Sequence, residues 1–188
     1  MTVVETEELI LDTLFERLEQ MPVPEGYKAE IVGGNIHMSP QQDAHWDIIR
    51  RVVRALEERF GADVRVLSDV RINFPGPQNG FAPDVAKLAD GAKKNPRGRW
   101  DHQDVEFIAE VIAQGTGPND YGPKKTAYAA AEVPVYLIAD PFTGRCRVYT
   151  QPKDGEYTTE LSVPFGREID LTGTPVDLRL KTEDFARS

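Results

Sequence analysis

Two carboxylates stand where carboxylates are costly. Glu110 lies inside the apolar run Phe107-Ile-Ala-Glu-Val-Ile112, and Asp84 follows Pro83 directly before Val85. An acid in a buried strand is unfavourable unless a partner or a cation stabilises it. Two such acids on one face of neighbouring strands make half of an oxygen-ligand site for Mg²⁺ or Mn²⁺. Held close, they repel unless a divalent ion or a proton compensates. The bland alternative puts Glu110 on a solvated rim and Asp84 in a strand-edge turn.

Asp120, Lys124 and Tyr128 follow at i, i+4 and i+8, along one face of a helix. With Asn119 or Asp120 as its cap, Pro123 falls in the first turn and loses no helical hydrogen bond. Lys124 beside a cation-bound phosphate would supply positive charge or orient water. Lys125 is its competitor, and spacing favours Lys124. Glu30 could reach the same ion, or form a cross-strand surface pair. His45, next to Trp46, reads as a packing or capping residue before it reads as a ligand. His37 and His102 have no partner at metal-ligand spacing, which excludes a histidine-rich zinc site. No G-x-S-x-G, G-x-x-x-x-G-K-[ST] or G-x-G-x-x-G motif occurs.

These residues need elements to position them. Apolar Leu9, Ile10, Leu14, Phe15 and Leu18 predict a helix over about 5–21 with Thr6 as N-cap. A hairpin over 27–40 turns at Gly33-Gly34-Asn35. A helix over 43–60 carries Trp46, Ile49, Val52, Val53, Leu56 and Phe60, stops at Gly61, and has Arg50, Arg51, Arg54 and Arg59 on its polar side. Strands are expected over 64–74 and 81–88, around a loop at 75–80. A mobile polar loop at 89–104 holds Lys93, Lys94, Arg97 and Arg99. The apolar run 105–113 reads as a buried central strand. An Ala-rich helix over 120–132, a buried strand over 133–140 and a meander over 145–164 follow. Leu178, Leu180 and Phe185 of the tail pack back on the sheet. The expected architecture is α+β (mixed α/β), a single domain with one layer of mixed central sheet flanked by helices. Residues 1–21 form the N-terminal helix, 24–149 the core, and 150–188 a C-terminal meander packed on it.

The chain has 188 residues and a net charge of −9, one domain's worth. Its apolar runs fall short of the ~18 residues of a membrane span, so no membrane partner is expected. The opening MTVVETEELILD has no basic stretch ahead of its apolar residues, so a signal peptide is not expected either. Cys146 stands alone, which excludes an internal disulfide and points to a reducing cytoplasm. The acidic balance argues against broad nucleic-acid binding. It also suits a chain that carries carboxylates to hold a cation.

Taken in order, Tyr27-Lys-Ala-Glu30-Ile-Val-Gly-Gly34, Met38-Ser-Pro40, His45, Pro83-Asp84, Glu110-Val111-Ile112, Asp120-x3-Lys124-x3-Tyr128 and Val133-Pro-Val-Tyr-Leu-Ile-Ala-Asp-Pro141 resemble the Uma-type endonuclease family, within the PD-(D/E)XK nuclease superfamily. The resemblance runs from about Pro24 to Tyr149. It implies a restriction endonuclease-like core with Asp84 and Glu110 as metal-binding carboxylates and Glu30 as an additional acid. The superfamily's lysine position is Ile112 here, whose backbone carbonyl could still ligate; in the Uma-type pattern the lysine moves to the following helix, and Lys124 matches it. Where the family has a Ser-Pro-Ser-Thr-like turn, this chain reads Ala113-Gln-Gly-Thr116, and Gln114 could take a polar role there.

The resemblance thus implies a phosphodiesterase acting on DNA with Mg²⁺ or Mn²⁺. Arg50, Arg51, Arg54 and the Lys93, Lys94 and Arg97 loop are then candidates for nucleic-acid contact. A homodimer would suit cleavage of two strands. A nuclease-fold binding or regulatory module with weak or no catalysis is the alternative, supported by the acidic balance and the missing serine; hydrolysis of a small phosphoester is a third.

Overall fold

Glycine placement sets the first hairpin. Gly33 and Gly34 both adopt positive φ, 55° and 77°, as a two-residue type I′ turn requires. They join β1 (Tyr27–Val32) to β2 (Asn35–Pro40) with Glu30 opposite His37. The computed structural model describes residues 3–40, 42–76 and 78–188. Residues 1 and 2 of the expected N-terminal helix and Pro77 of the expected 75–80 loop lie outside them.

Helix α1 spans Val3–Gln20, so Thr6 lies within it and does not cap it. Its inner face is Leu11, Leu14, Phe15 and Leu18, packed on Ile31 of β1. Leu9 and Ile10, expected in that stripe, are exposed, because the i, i+3, i+4, i+7 set starting at Leu11 is the one that faces the sheet. Helix α2 (Asp43–Phe60) runs as expected and stops where the Gly61 N–H returns to the Glu57 carbonyl. Ile48, Ile49, Val52 and Leu56 are its buried face, while Trp46 is 60% exposed.

The expected strand over 64–74 is two strands, β3 (Val66–Leu67) and β4 (Ile72–Phe74). The chain turns between them at Asp69, whose φ is 55°. The expected strand over 81–88 is likewise split, into β5 (Asn79–Phe81) and β6 (Val85–Leu88), by Ala82-Pro83-Asp84. Proline removes a ladder donor and breaks the pairing there. Each break carries the chain from one sheet to another, so there are two large sheets where one layer was expected. The polar segment 89–104 holds a short strand, β7 (Trp100–Asp101), and a 3₁₀ turn (His102–Asp104). The Asn95 side chain organises it, accepting from the Arg97 and Arg99 amides and donating to Asp101.

After β8 (Val105–Val111), the chain is helical over 117–130. It takes one α turn (Gly117–Asn119), a π-helical turn (Asp120–Lys124) and an α-helix (Lys125–Ala130). Because the helix begins at Gly117, Asn119 and Asp120 are inside it, and Pro123 lies beyond the first turn; the wider π turn accommodates the missing N–H. Strands β9 (Val135–Asp140), β10 (Arg145–Lys153) and β11 (Glu156–Pro164) complete the large sheet. A small pair, β12 (Ile169–Asp170) and β13 (Arg179–Leu180), follows.

The six-stranded sheet has the order β11-β10-β9-β8-β6-β3 and the five-stranded sheet the order β2-β1-β5-β4-β7. Both are mixed: β8–β9 and β4–β7 are parallel, the remaining ladders antiparallel. Strand alternation then makes two cores. Val85, Phe107, Ala109, Val111, Leu137 and Val148 face α2 and the tail, where Leu178, Leu180 and Phe185 join them. Ala86, Leu88, Ile108, Tyr136 and Ile138 pack with Ala127 and Tyr128 of the 117–130 helix and with Ile72, Phe74 and Phe81 of the smaller sheet. Glu110, in step with Ile108, belongs to this second face.

Candidate active site

Register brings the two acids together. Val85 pairs with Ala109, so Asp84, one residue before β6, comes level with Glu110 on β8. The Val111 N–H donates to Asp84 Oδ2 at 2.8 Å, and the Asp84 N–H makes a long 3.4 Å contact to Glu110 Oε2. Both acids are 2% exposed. Glu30 comes from β1 of the smaller sheet, its Oε1 accepting from the Ala82 N–H at 3.0 Å.

The 117–130 helix closes the site. Lys124 Nζ lies 2.8 Å from Glu30 Oε2, 3.0 Å from Glu110 Oε1 and 3.1 Å from Asp120 Oδ1. The Tyr128 hydroxyl donates to Glu110 Oε1 at 2.7 Å. The i, i+4, i+8 spacing survives the π turn well enough to place all three groups on the cluster. Lys125 instead lies over the Tyr149 ring, 5.2 Å from its centroid. His45 is buried, its Nε2 3.1 Å from Asp84 Oδ2.

Lys28 has no counterpart in the sequence reading. Its Nζ sits 2.8 Å from Asp84 Oδ1, 3.1 Å from Asp69 Oδ1 and 3.8 Å from Glu30 Oε1. The signal was available: on a strand, residues i and i+2 share a face, so whatever Glu30 reaches, Lys28 approaches as well. Val111 was also missed, because a backbone donor leaves no mark in a sequence. Ile112 follows β8 with its N–H bonded to the Ala139 carbonyl at 2.9 Å and its side chain in the core. Val111 and Ala113, its neighbours, line the inner cavity.

Four buried carboxylates, Glu30, Asp84, Glu110 and Asp120, thus face two buried ammonium groups, a formal excess of two acids over bases that either a cation or bound protons can offset. The electrostatics register that excess. Burial, aided by Asp84 and Glu30 and opposed by Lys124, pushes Glu110 up to about 8. Burial also raises Asp120. At Asp84 burial opposes ionisation, but Lys28 and His45 outweigh it and hold the carboxyl well below the usual range. Glu30 is lowered as well, desolvation being overcome by Lys124 and Lys28.

The donor set fits a hard divalent cation, since all of it is carboxylate oxygen and an ion would replace the proton that the raised Glu110 holds. Among the described residues, no three His, Cys, Asp or Glu side chains converge as a ready-made metal cage; lysines stand between the acids. An inner cavity of about 10 Å³ touches Lys28, Glu30, Asp84, Glu110 and Lys124, room for one small ion or water. A cleft of about 90 Å³ adjoins it, sharing Glu30, Asp120 and Lys124, between His37, Met38 and Ser39 on β2 and Gln114, Gly115, Thr116 and Asn119 opposite.

The basic residues are dispersed. Arg50 and Arg51 pair with Asp47, Arg51 also with Asp184, and Arg59 with Asp177. Arg54 is exposed on α2. Lys94 lies 5.6 Å from the Trp100 ring centroid, and Lys93 and Arg97 are exposed in the same segment. The structure does not bring any of these seven to the acid cluster.

No curated protein matches the chain. A crystal structure from Anabaena variabilis ATCC 29413, described as a "putative nuclease belonging to DUF820", superposes with a TM-score of 0.68 over 92% of this chain and 96% of that one, at 15% identity. At that identity the match shows a shared fold. The model of the Uma2 family, described as "Putative restriction endonuclease", matches residues 15–183, a span that takes in every acid and lysine of the cluster. The chain belongs to the Uma2 family.

Proposed function

We propose that the protein is an endonuclease that hydrolyses DNA phosphodiester bonds with one or two Mg²⁺ (or Mn²⁺) ions held by Asp84, Glu110 and Glu30, and by the Ile112 carbonyl. The observation that carries this reading is the cluster of four buried carboxylates, two more than the ammonium groups among them, around a cavity the size of one small ion. A fold gains nothing from several uncompensated buried acids. The adjoining cleft supports a polymeric substrate: at about 90 Å³ it is small beside the ~300–1,000 Å³ of pockets that enclose whole ligands. It suits a phosphodiester group presented from outside.

A bound ion would supply a more acidic water and a polarised phosphoryl oxygen. The remaining work belongs to side chains. Asp84 is oriented by the Val111 amide and His45. Glu110 is oriented by Tyr128. Lys124, held by three acids, is placed to neutralise charge that develops on the phosphoryl group as the P–O bond breaks. Gln114 and Asn119, at the cleft, offer polar contacts to the substrate backbone, and Arg50, Arg51, Arg54, Lys93, Lys94 and Arg97 contribute charge farther out.

The test is cleavage of single- and double-stranded DNA with Mg²⁺ or Mn²⁺, run beside folded D84N, E110Q and K124M. Metal-dependent cleavage by the wild type, reduced at least ~100-fold in each variant, is the expected result. Absence of both cleavage and metal uptake in the wild type would leave a nuclease-fold binding module.

A further inference from the structure

We infer that Lys28 is an exchangeable counter-ion of this site: its ammonium neutralises Asp84 when no divalent ion is present, and withdraws to Asp69 when one binds. The inference rests on the metal reading above and adds a positioning residue to it.

Three observations lead there. First, both oxygens of Asp84 are already engaged. Its Oδ2 accepts from the Val111 amide and contacts His45, and its Oδ1 accepts from Lys28 at 2.8 Å. A cation approaching Asp84 Oδ1 competes with that ammonium. Second, Lys28 occupies a cation's position. It bridges Asp84 on one side and Glu30 on the other, and it lines the 10 Å³ cavity. Two positive charges that close together repel strongly in a poorly hydrated cavity. Both cannot occupy that position.

Third, a place for the displaced ammonium is already built. Asp69 Oδ1 lies 3.1 Å from Lys28 Nζ, and its side chain is 42% exposed, against 3% for Asp84. The backbone holds Asp69 there: it turns in the left-handed region, which aspartate tolerates, and its N–H is bonded to the Pro83 carbonyl at 3.0 Å. The turn fixes a carboxylate at the rim, tied by its N–H to the Pro83-Asp84 crossover. Lys28 keeps one partner as it releases the other. Lys124 differs, since its three acid partners are all buried and include no rim group.

The experiment measures Mn²⁺ affinity calorimetrically, without substrate, for wild type, K28M, D69N and K28M/D69N. Removing the competing ammonium should tighten Mn²⁺ binding by at least ~tenfold in K28M, a direction that mere structural damage does not produce. D69N, at an exposed side chain, keeps the fold and should weaken Mn²⁺ binding, because the rim then offers the ammonium a neutral amide oxygen instead of a carboxylate. In the K28M background the same D69N change should alter affinity less than twofold. Equal or weaker binding in folded K28M overturns the exchange while leaving the metal site in place. An equal D69N effect in both backgrounds overturns the role of Asp69 as acceptor. If K28M does not fold, D69N with unchanged Mn²⁺ affinity overturns the inference alone. No Mn²⁺ uptake by either wild type or folded K28M overturns the metal reading, and the inference with it.

Discussion

The Tyr128 hydroxyl is fully buried and donates to one oxygen of Glu110, which also faces Lys124. Its ring packs edge-on against Phe74, Phe81 and Tyr136. Tyr128→Phe keeps that packing and removes one donor from a buried acid. We expect a loss of about 1–2 kcal/mol in urea unfolding, with the aromatic core intact. Tyr128 was legible in the sequence because its spacing from Lys124 repeats the helical turn. Asp84 and Glu110 were legible because each violates its surroundings, a carboxylate where apolar residues belong. Lys28 broke no such rule: a lysine in a strand next to a solvated segment is unremarkable until the fold shows what stands opposite it.

Elements were read better where one periodicity governs the whole stretch. Helix α2 and strand β8 follow their hydrophobic patterns almost to the residue. The stretches around Asp69 and Pro83 did not, since local alternation continues through both breaks and only the pairing partners change. The π turn was hidden for a related reason. Pro123 reads as a first-turn residue unless the helix start at Gly117 is known. The attachment of α1 rests on similarly local geometry. Gly80 of β5 lies beneath Phe15, and an added Cβ would come within 2.4 Å of Phe15 Cε2 and 3.3 Å of Leu11 Cδ1. Gly80→Ala should therefore displace α1 from the smaller sheet, at a cost of about 1–3 kcal/mol. Limited proteolysis is the check: cleavage within residues 3–20 should accelerate, while the six-stranded sheet remains resistant.

Across the whole molecule, groups that ionise in alkali are buried together on the larger sheet. Burial pushes the Cys146 thiol up to about 12 and raises Tyr136, Tyr149 and Tyr157 above their usual range. A folded-state pKa raised above the unfolded one gives stability that is complete below the unfolded value, ~8.5 for Cys and ~10 for Tyr, and is lost as pH rises toward the folded one. Unfolding should therefore accompany tyrosinate formation between about pH 9 and 12. Absorbance near 295 nm should rise in step with loss of far-ultraviolet ellipticity, and Cys146 should resist aromatic disulfide reagents at pH 8 until the chain unfolds. Ionisation of Tyr136, Tyr149 and Tyr157 in a still-folded protein would contradict this. The crossings between sheets carry a different consequence, for the order of assembly. The acid cluster draws on β1, the Pro83-Asp84 crossover, β8 and the 117–130 helix, segments that are distant along the chain and share no single hairpin. Strands β9 to β11, which bury β8, are synthesised later still. A growing chain or a half-docked intermediate therefore has no cavity to offer, and divalent ions held as proposed would select only the finished molecule. By mass action they would then draw the folding equilibrium toward it, so the ion would act as the last checkpoint of folding.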